Sequence, residues 1–459
     1  MKKETPIGLD QNNEKLLLPI YEPYDPQVDF YVDSKAMAFG SALPLAYSNW
    51  RDESMSWKET CYLHTGLNPA SAYRVTGPDA IKFFADTCVN SFAKFPIGSL
   101  KHAIMCNEEG YIMTHGVLLR VGEEEFISYF LAPYAAYKLD TGNYDAQGEY
   151  IHDEFVFQLA GPKSLEIIES ATGECLHDLK FGRYRMSRVS GQEIRVTRMG
   201  MAGTLAYEIH GQNEYVLSIY NAIMTAGEPF GIRKLGLTAY KMNHTEGGFP
   251  QSFVHFPCPW GEDSGFMKYL GKSQKTRRPS TLLMGSMGTD IKLRYRNPVE
   301  LGWGKMIKFD HEFIGREALE KQVAHPRRTM VTLVWNTEDI LDVQASQYQP
   351  GEPYMEMEPV HLSQENGRTV LYADQVLKDG NLIGVSSGRM YSYYYRQMIS
   401  LCSINSEYSV IGDEVHILWG NPGTRQKVIR ATISRFPFLN EHRNEHVDVN
   451  AIPCGAPMK

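Results

Sequence analysis

Val75-Thr-Gly-Pro-Asp-Ala80 and Leu159-Ala-Gly-Pro-Lys-Ser164 decide how this chain is organised. Each joins a short apolar run to a Gly-Pro turn and then to a helical pattern. Around the first, residues 72–76 read as a strand and 80–87 as a short helix. Residues 102–106 and 112–121 read as strands joined by the turn Asn107-Glu-Glu-Gly110, and 126–129 continue that sheet. Around the second, 155–159 read as a strand and 164–170 as a helix. Further strands fall at 194–199 and 207–210, and a helix at 215–226. Two α+β units of related topology account for the repeat. Chance recurrence of strand, turn and helix accounts for these two fragments equally well.

Outward from this pair, residues 1–45 read as an irregular arm rich in Pro, Tyr and Asp. Residues 50–65 read as one helix capped by Asn49. From about residue 327 the pattern changes to strands at 329–335, 369–373, 375–378, 382–387, 398–404, 414–418 and 427–434. No convincing long helix lies between them, so an all-β barrel or jelly roll is expected. The expected division is an arm over 1–45, α+β units over 46–150 and 151–326, and a β domain over 327–459.

The 459 residues exceed what a single core usually serves. Formal net charge is -8, and no Lys/Arg cluster favours nucleic acid or an anionic membrane. No apolar run is long enough to span a bilayer, and the first residues carry no secretory apolar stretch. The seven cysteines form no CxxC, so no thiolate metal site and no disulfide framework is expected, and a cytoplasmic location fits.

A longer set of fragments carries a family resemblance. It comprises Gly77-Pro-Asp-Ala80, Asn107-Glu-Glu-Gly110, Phe157-Gln-Leu-Ala-Gly-Pro162, Met199-Gly-Met-Ala-Gly203 with Tyr207-Glu-Ile209, Phe313-Ile-Gly-Arg-Glu-Ala-Leu319, Gly384-Val-Ser-Ser-Gly388, and Tyr391-Ser392. In order and spacing these resemble the T-protein (aminomethyltransferase) family of the glycine-cleavage system over about residues 46–438. Tyr47-Ser-Asn-Trp-Arg-Asp-Glu53, Asp86-Thr-Cys-Val-Asn-Ser91 and Asn297-Pro298 resemble one branch of it, the vanillate/3-O-methylgallate and syringate O-demethylases. The resemblance implies an α+β fold, with three domains in a ring around a central folate cavity. It also implies tetrahydrofolate as cofactor and an aryl methyl ether as methyl donor, with neither metal nor nucleic acid required. A monomer or homodimer is expected.

The resemblance also assigns roles. Glu208 aligns with the carboxylate that holds the pterin edge, and a solvent-facing strand Glu is the alternative reading. Tyr207, Met199 and Glu246 join it as cofactor-binding candidates. Tyr240 aligns with the tyrosine near the reacting ether, where a phenol can donate to a leaving phenolate; a packing tyrosine is the alternative. His115 stands in the region of the T-protein acid and is the second catalytic candidate. His64, His244 and Leu131 are the substrate-binding candidates. Leu131 replaces the carboxylate-binding Arg of the vanillate enzyme, which points to a methoxy-aromatic without a carboxylate. The segment Leu63-His-Thr-Gly-Leu-Asn-Pro69 also departs from the family pattern. A sulfonium or methylated-amine donor and a non-catalytic folate-binding protein remain open at this point.

Overall fold

A computed structural model describes residues 31–33, 42–65, 72–273, 281–360, 364–365 and 368–455. Most of the expected arm and the end of the 63–69 segment lie outside them. Three large sheets organise the described residues, beside a two-stranded ribbon of Tyr31–Asp33 and Ala42–Pro44. The first runs in the order Ser99–Cys106, Ile112–Arg120, Glu125–Tyr129, Ala72–Thr76, Gln147–Ile151. The second runs Tyr184–Val189, Gln192–Thr197, Ala206–Gln212, Glu154–Ala160, Cys61–Thr65, Ile232–Lys234.

The duplication is real. In both sheets a strand leads through a Gly-Pro turn into a helix, then three antiparallel strands, then another helix. The helices Ala80–Thr87 and Ser164–Thr172 each bury an apolar face on their own sheet. Gly77 and Gly161 hold φ of 129° and 139°, a region that disfavours side chains. A Cβ on Gly77 would stand 2.6 Å from the Asp145 carbonyl oxygen, and one on Gly161 would stand 2.5 Å from that of Thr60. The neighbour that crowds each glycine leads into a strand of the other repeat. Gln147–Ile151 pairs with Ala72–Thr76, and Cys61–Thr65 pairs with Glu154–Ala160, both antiparallel. Each unit therefore lends its leading strand to its twin.

This exchange corrects one expectation. Residues 50–65 do not form one helix. Trp50–Glu59 is helical, capped by the Asn49 side chain, and Cys61–Thr65 is a strand of the second sheet. Strand pairing runs across residues 150 and 326. Besides the crossed strands, Thr281–Met284 pairs with Arg368–Lys378 of the third sheet.

In the third sheet, Arg368–Lys378, Asn381–Ser392, Gln397–Asn405, Arg328–Trp335, Lys427–Ser434 and Glu414–Trp419 close on themselves through Val376 opposite Ile417. The result is a six-stranded barrel packed with Val331, Leu333, Trp335, Ile417, Trp419 and Ile433. A helix, Thr337–Ser346, interrupts the expected all-β run. Asn336 caps it by accepting from the Asp339 N–H at 3.1 Å. Val343 is its one fully buried apolar residue, so its periodicity in sequence is faint. Among the described residues, no helix is long and apolar enough to cross a membrane.

Candidate functional site

Strand alternation creates the site. In the second sheet, Leu63, Leu159, Tyr207 and Ile209 face the helices and form the core. The residues between them face the other way. His64 pairs with Gln158, Gln158 with Glu208, and Glu208 with Thr197, so four polar side chains form one row across four strands. All four are buried. His64 Nε2 meets Gln158 Oε1 at 3.1 Å, and the Tyr62 hydroxyl donates to the same oxygen at 2.8 Å.

The helix Leu237–Gly247 packs nearby and is buried on almost every side. Its entry is fixed by Glu53, whose carboxylate accepts from the N–H groups of Gly236, Tyr47 and Ser48. Burial raises the Glu53 pKa to about 7 against those bonds. The helix ends at Gly248, where φ is 66° and a Cβ would strike Pro437 at 2.5 Å. Its polar residues reach the row: Asn243 Nδ2 donates to the Tyr62 hydroxyl at 3.2 Å, and the Tyr240 ring lies edge-on to His64 at 5.2 Å. His244 lies 4.8 Å from Tyr240 and is fully buried, and neither ring nitrogen makes a hydrogen bond among the described residues. Gln251 Nε2 approaches the Tyr240 hydroxyl at 3.5 Å.

Burial sets the protonation states. It lowers the His64 pKa to about 4, with the Gln158 bond opposing, and drives His244 well below its usual range. Burial lowers Lys241 to about 7. The Tyr240 phenol is pushed upward by burial, so it keeps its proton.

His115 and His102 bring the first sheet to the same region. His115 Nδ1 meets His102 Nε2 at 3.0 Å, and His115 Nε2 accepts from the Ser252 N–H at 3.4 Å. Phe249 links the groups, lying 5.9 Å from His115 and 6.1 Å from His244. Through these two contacts His115 ties His102 to the 249–256 loop.

Three other candidates lie elsewhere than expected. Leu131 is in the core of the first sheet, so it lines no polar pocket. Tyr207 faces the helical core, one residue out of phase with Glu208. Met199 is half-buried against the small cluster around Leu119 and Tyr129. Glu246 is committed to a structural network. It accepts from Trp57 Nε1 at 3.1 Å and from Ser392 Oγ, and it pairs with Lys58. Gln158, Asn243, Gln251, Tyr62 and His102 were not anticipated. Only Gln158 carried a local signal, as a lone polar residue between Phe157 and Leu159.

Residues 36–253 match the GCVT N-terminal domain family. The chain is 44% identical over 431 residues to the sesamin methylene transferase of a Sinomonas strain, covering 92% of this chain and 95% of that protein. It is 30% identical to the syringate O-demethylase of a Sphingobium strain, covering 88% and 92%. An aminomethyltransferase from Caldanaerobacter subterraneus matches at 22% identity over 93% of this chain and 96% of its own length. The crystal structure of the glycine cleavage system aminomethyltransferase T from Bartonella henselae superposes with a TM-score of 0.62 at 16% identity, covering 88% and 93%, which shows the shared fold. The interlocked duplicated sheets and closed barrel agree with these likenesses, and the chain belongs to the aminomethyltransferase (GCVT) family of tetrahydrofolate-dependent transferases.

Proposed function

We propose that this enzyme moves a one-carbon unit from a neutral aryl ether to tetrahydrofolate. The observation that carries the reading is the packing of Tyr240 against the His64–Gln158–Glu208 row inside a buried polar patch. Around the row, His64 Nδ1, Gln158 Nε2, Asn243 Oδ1 and Gln251 Oε1 have no hydrogen-bond partner among the described residues. Unmet donors and acceptors side by side fit the edge of a pterin, which offers both. Glu208, Gln158 and Asn243 would hold it there, the carboxylate taking the aminopyrimidine N–H groups. Tetrahydrofolate supplies a ring nitrogen that accepts the carbon.

Tyr240 serves the leaving group. A phenol held neutral by burial donates a hydrogen bond to the ether oxygen as negative charge grows on it. The Gln251 amide approaches the same hydroxyl at 3.5 Å. The nearby histidines, held neutral by burial, supply aromatic and polar surface without charge. That neutrality now supports the uncharged donor, since Leu131 is in the core.

A second reading narrows the donor, favoured by the 44% identity to a protein named for sesamin. There the carbon bridges two aryl oxygens. Two C–O bonds and the N5–H and N10–H bonds break, two C–N bonds form, and the two protons pass to the aryl oxygens, giving a catechol and 5,10-methylenetetrahydrofolate without oxidation or reduction. A methoxy donor breaks one C–O bond and gives a phenol and 5-methyltetrahydrofolate, the N5 proton passing to the phenolate.

The test is anaerobic incubation with tetrahydrofolate and guaiacol, veratrole, syringate, vanillate, sesamin, dimethylsulfoniopropionate or glycine betaine, with folate products separated by chromatography. Product from a neutral ether supports the proposal, and the folate formed tells methoxy from methylenedioxy donors. Product only from the sulfonium or ammonium donor overturns the substrate class.

A further inference from the structure

The last described residues leave the barrel and return to the helical side of the second sheet. Arg198 Nη2 donates to the carbonyls of Asn444 at 3.0 Å and Val447 at 3.2 Å. Val449 enters the second-sheet core, and the Gly455 N–H donates to Glu169 Oε2 at 2.8 Å. This path carries Cys454 to Cys175 and His177, which follow the helix Ser164–Thr172. One ligand atom from each of the three lies within 4.8 Å of the others. Neither cysteine is in a disulfide, and both are exposed. A surface cleft lined by Cys175, His177, Asp178 and Asp448 gives access.

Two thiols and an imidazole make a donor set for a soft or borderline metal. Around tetrahedral zinc, with bonds of about 2.0–2.3 Å, ligand atoms stand roughly 3.4–3.8 Å apart. Small rotations of the two exposed cysteine side chains would close the remaining gap onto the half-buried His177. A second feature points the same way: Glu169 Oε1 lies 3.5 Å from His177 Nε2. A carboxylate behind an imidazole is the usual support of a metal-bound histidine. Glu169 is itself fixed by the N–H groups of Leu176 and Gly455. The cluster escapes any search for CxxC because its cysteines meet only through the fold.

We propose that Cys175, His177 and Cys454 bind one divalent cation of the zinc class, which fastens the C-terminal segment to the helical layer of the second sheet. Binding replaces the two S–H bonds by two metal–sulfur bonds, and the protons pass to water. The site lies on the side of that sheet opposite Glu208, so it is separate from one-carbon transfer.

The test uses full-length protein, reduced, stripped with a chelator and titrated anaerobically with Cd2+. The readouts are thiolate-to-metal charge-transfer absorbance and the thermal midpoint. The other five cysteines are buried, so any band reports on this pair. One equivalent is expected, with a rising thermal midpoint. The band should vanish in Cys175→Ser and in Cys454→Ser, and affinity should fall at least about tenfold in His177→Ala. No band, or an equal band in both serine variants, overturns the proposal. So does a Cys175–Cys454 disulfide in protein purified without reductant, if no cadmium is taken up after reduction.

Discussion

His210 stands directly behind Glu208: its Nε2 lies 3.5 Å from Glu208 Oε2, and its Nδ1 meets the Tyr129 hydroxyl at 2.6 Å. Tyr129 also lies 2.6 Å from Glu154 Oε2, and Glu154 pairs with Arg195 at 3.2 Å. His210, Tyr129, Glu154 and Arg195 thus form a chain of polar contacts that ends beside the proposed pterin carboxylate. Glu208→Gln keeps the shape and removes the charge, so tetrahydrofolate affinity should fall about 10–100-fold. The thermal midpoint should hardly move. Calorimetric titration measures the first and a melting curve the second. Unchanged affinity would remove Glu208 from the pterin site.

Tyr240→Phe separates chemistry from binding. The ring and its packing against His64 and His244 survive, and only the hydroxyl is lost. Turnover of the aryl ether should fall about 10²–10⁴-fold. Tetrahydrofolate affinity should stay within about threefold, because no pterin contact is assigned to the hydroxyl. Comparable loss in both would instead make Tyr240 a binding residue, and full turnover would take it out of the mechanism.

How much of this was legible beforehand differs from residue to residue. The twin Gly-Pro turns pointed to the duplication because their backbone demands are local, although chance recurrence read equally well. The strand exchange was hidden, because pairing of residues 94 apart, as for His64 and Gln158, leaves no local trace. Residues 50–65 read as one helix because their apolar residues continue past Thr60, where the structure changes to a strand. Glu208 stood out only through resemblance. Tyr207 was misplaced for a geometric reason: alignment gives a position along the chain, while the face a strand residue takes depends on phase. His115 aligned with an acid, but its partners, His102 and the Ser252 N–H, come from other segments.

The Lys58–Glu246 pair tests one such reassignment. Both side chains are almost wholly buried, and Trp57 and Ser392 satisfy the same carboxylate. Removing one partner leaves a buried charge without its counterpart, at a cost of about 3–5 kcal/mol. Glu246→Gln should therefore lower the thermal midpoint by several degrees and leave tetrahydrofolate affinity intact. The double change Lys58→Met with Glu246→Leu should recover part of the loss, since burying two apolar groups avoids the desolvation of two charges. A normal melting curve with lost folate affinity would return Glu246 to the cofactor site.

The buried histidines predict how stability depends on pH. Burial lowers His64 and His102 to about 4 and, with help from Lys241, His255 to about 3. An unfolded histidine titrates near pH 6.5. Between these values the unfolded chain binds protons that the folded chain refuses, so acid favours unfolding. The stabilisation is complete above about pH 6.5, falls as pH drops toward about 4, and is spent once the folded histidines also protonate. Each histidine contributes up to about 1.4 kcal/mol per pH unit in that window. Lys241, lowered to about 7 by burial, acts with the same sign between about pH 7 and 10. Urea midpoints measured from pH 7.5 to 4.5 should fall steadily below about pH 6.5. In His64→Gln the fall should be shallower by up to about one proton's worth, because glutamine does not titrate. Carboxylates cannot mimic this difference, since they are common to both proteins. An identical slope in the variant would mean that His64 takes up its proton in the folded state, and the uncharged histidine surface invoked for the aryl ether would lose its support.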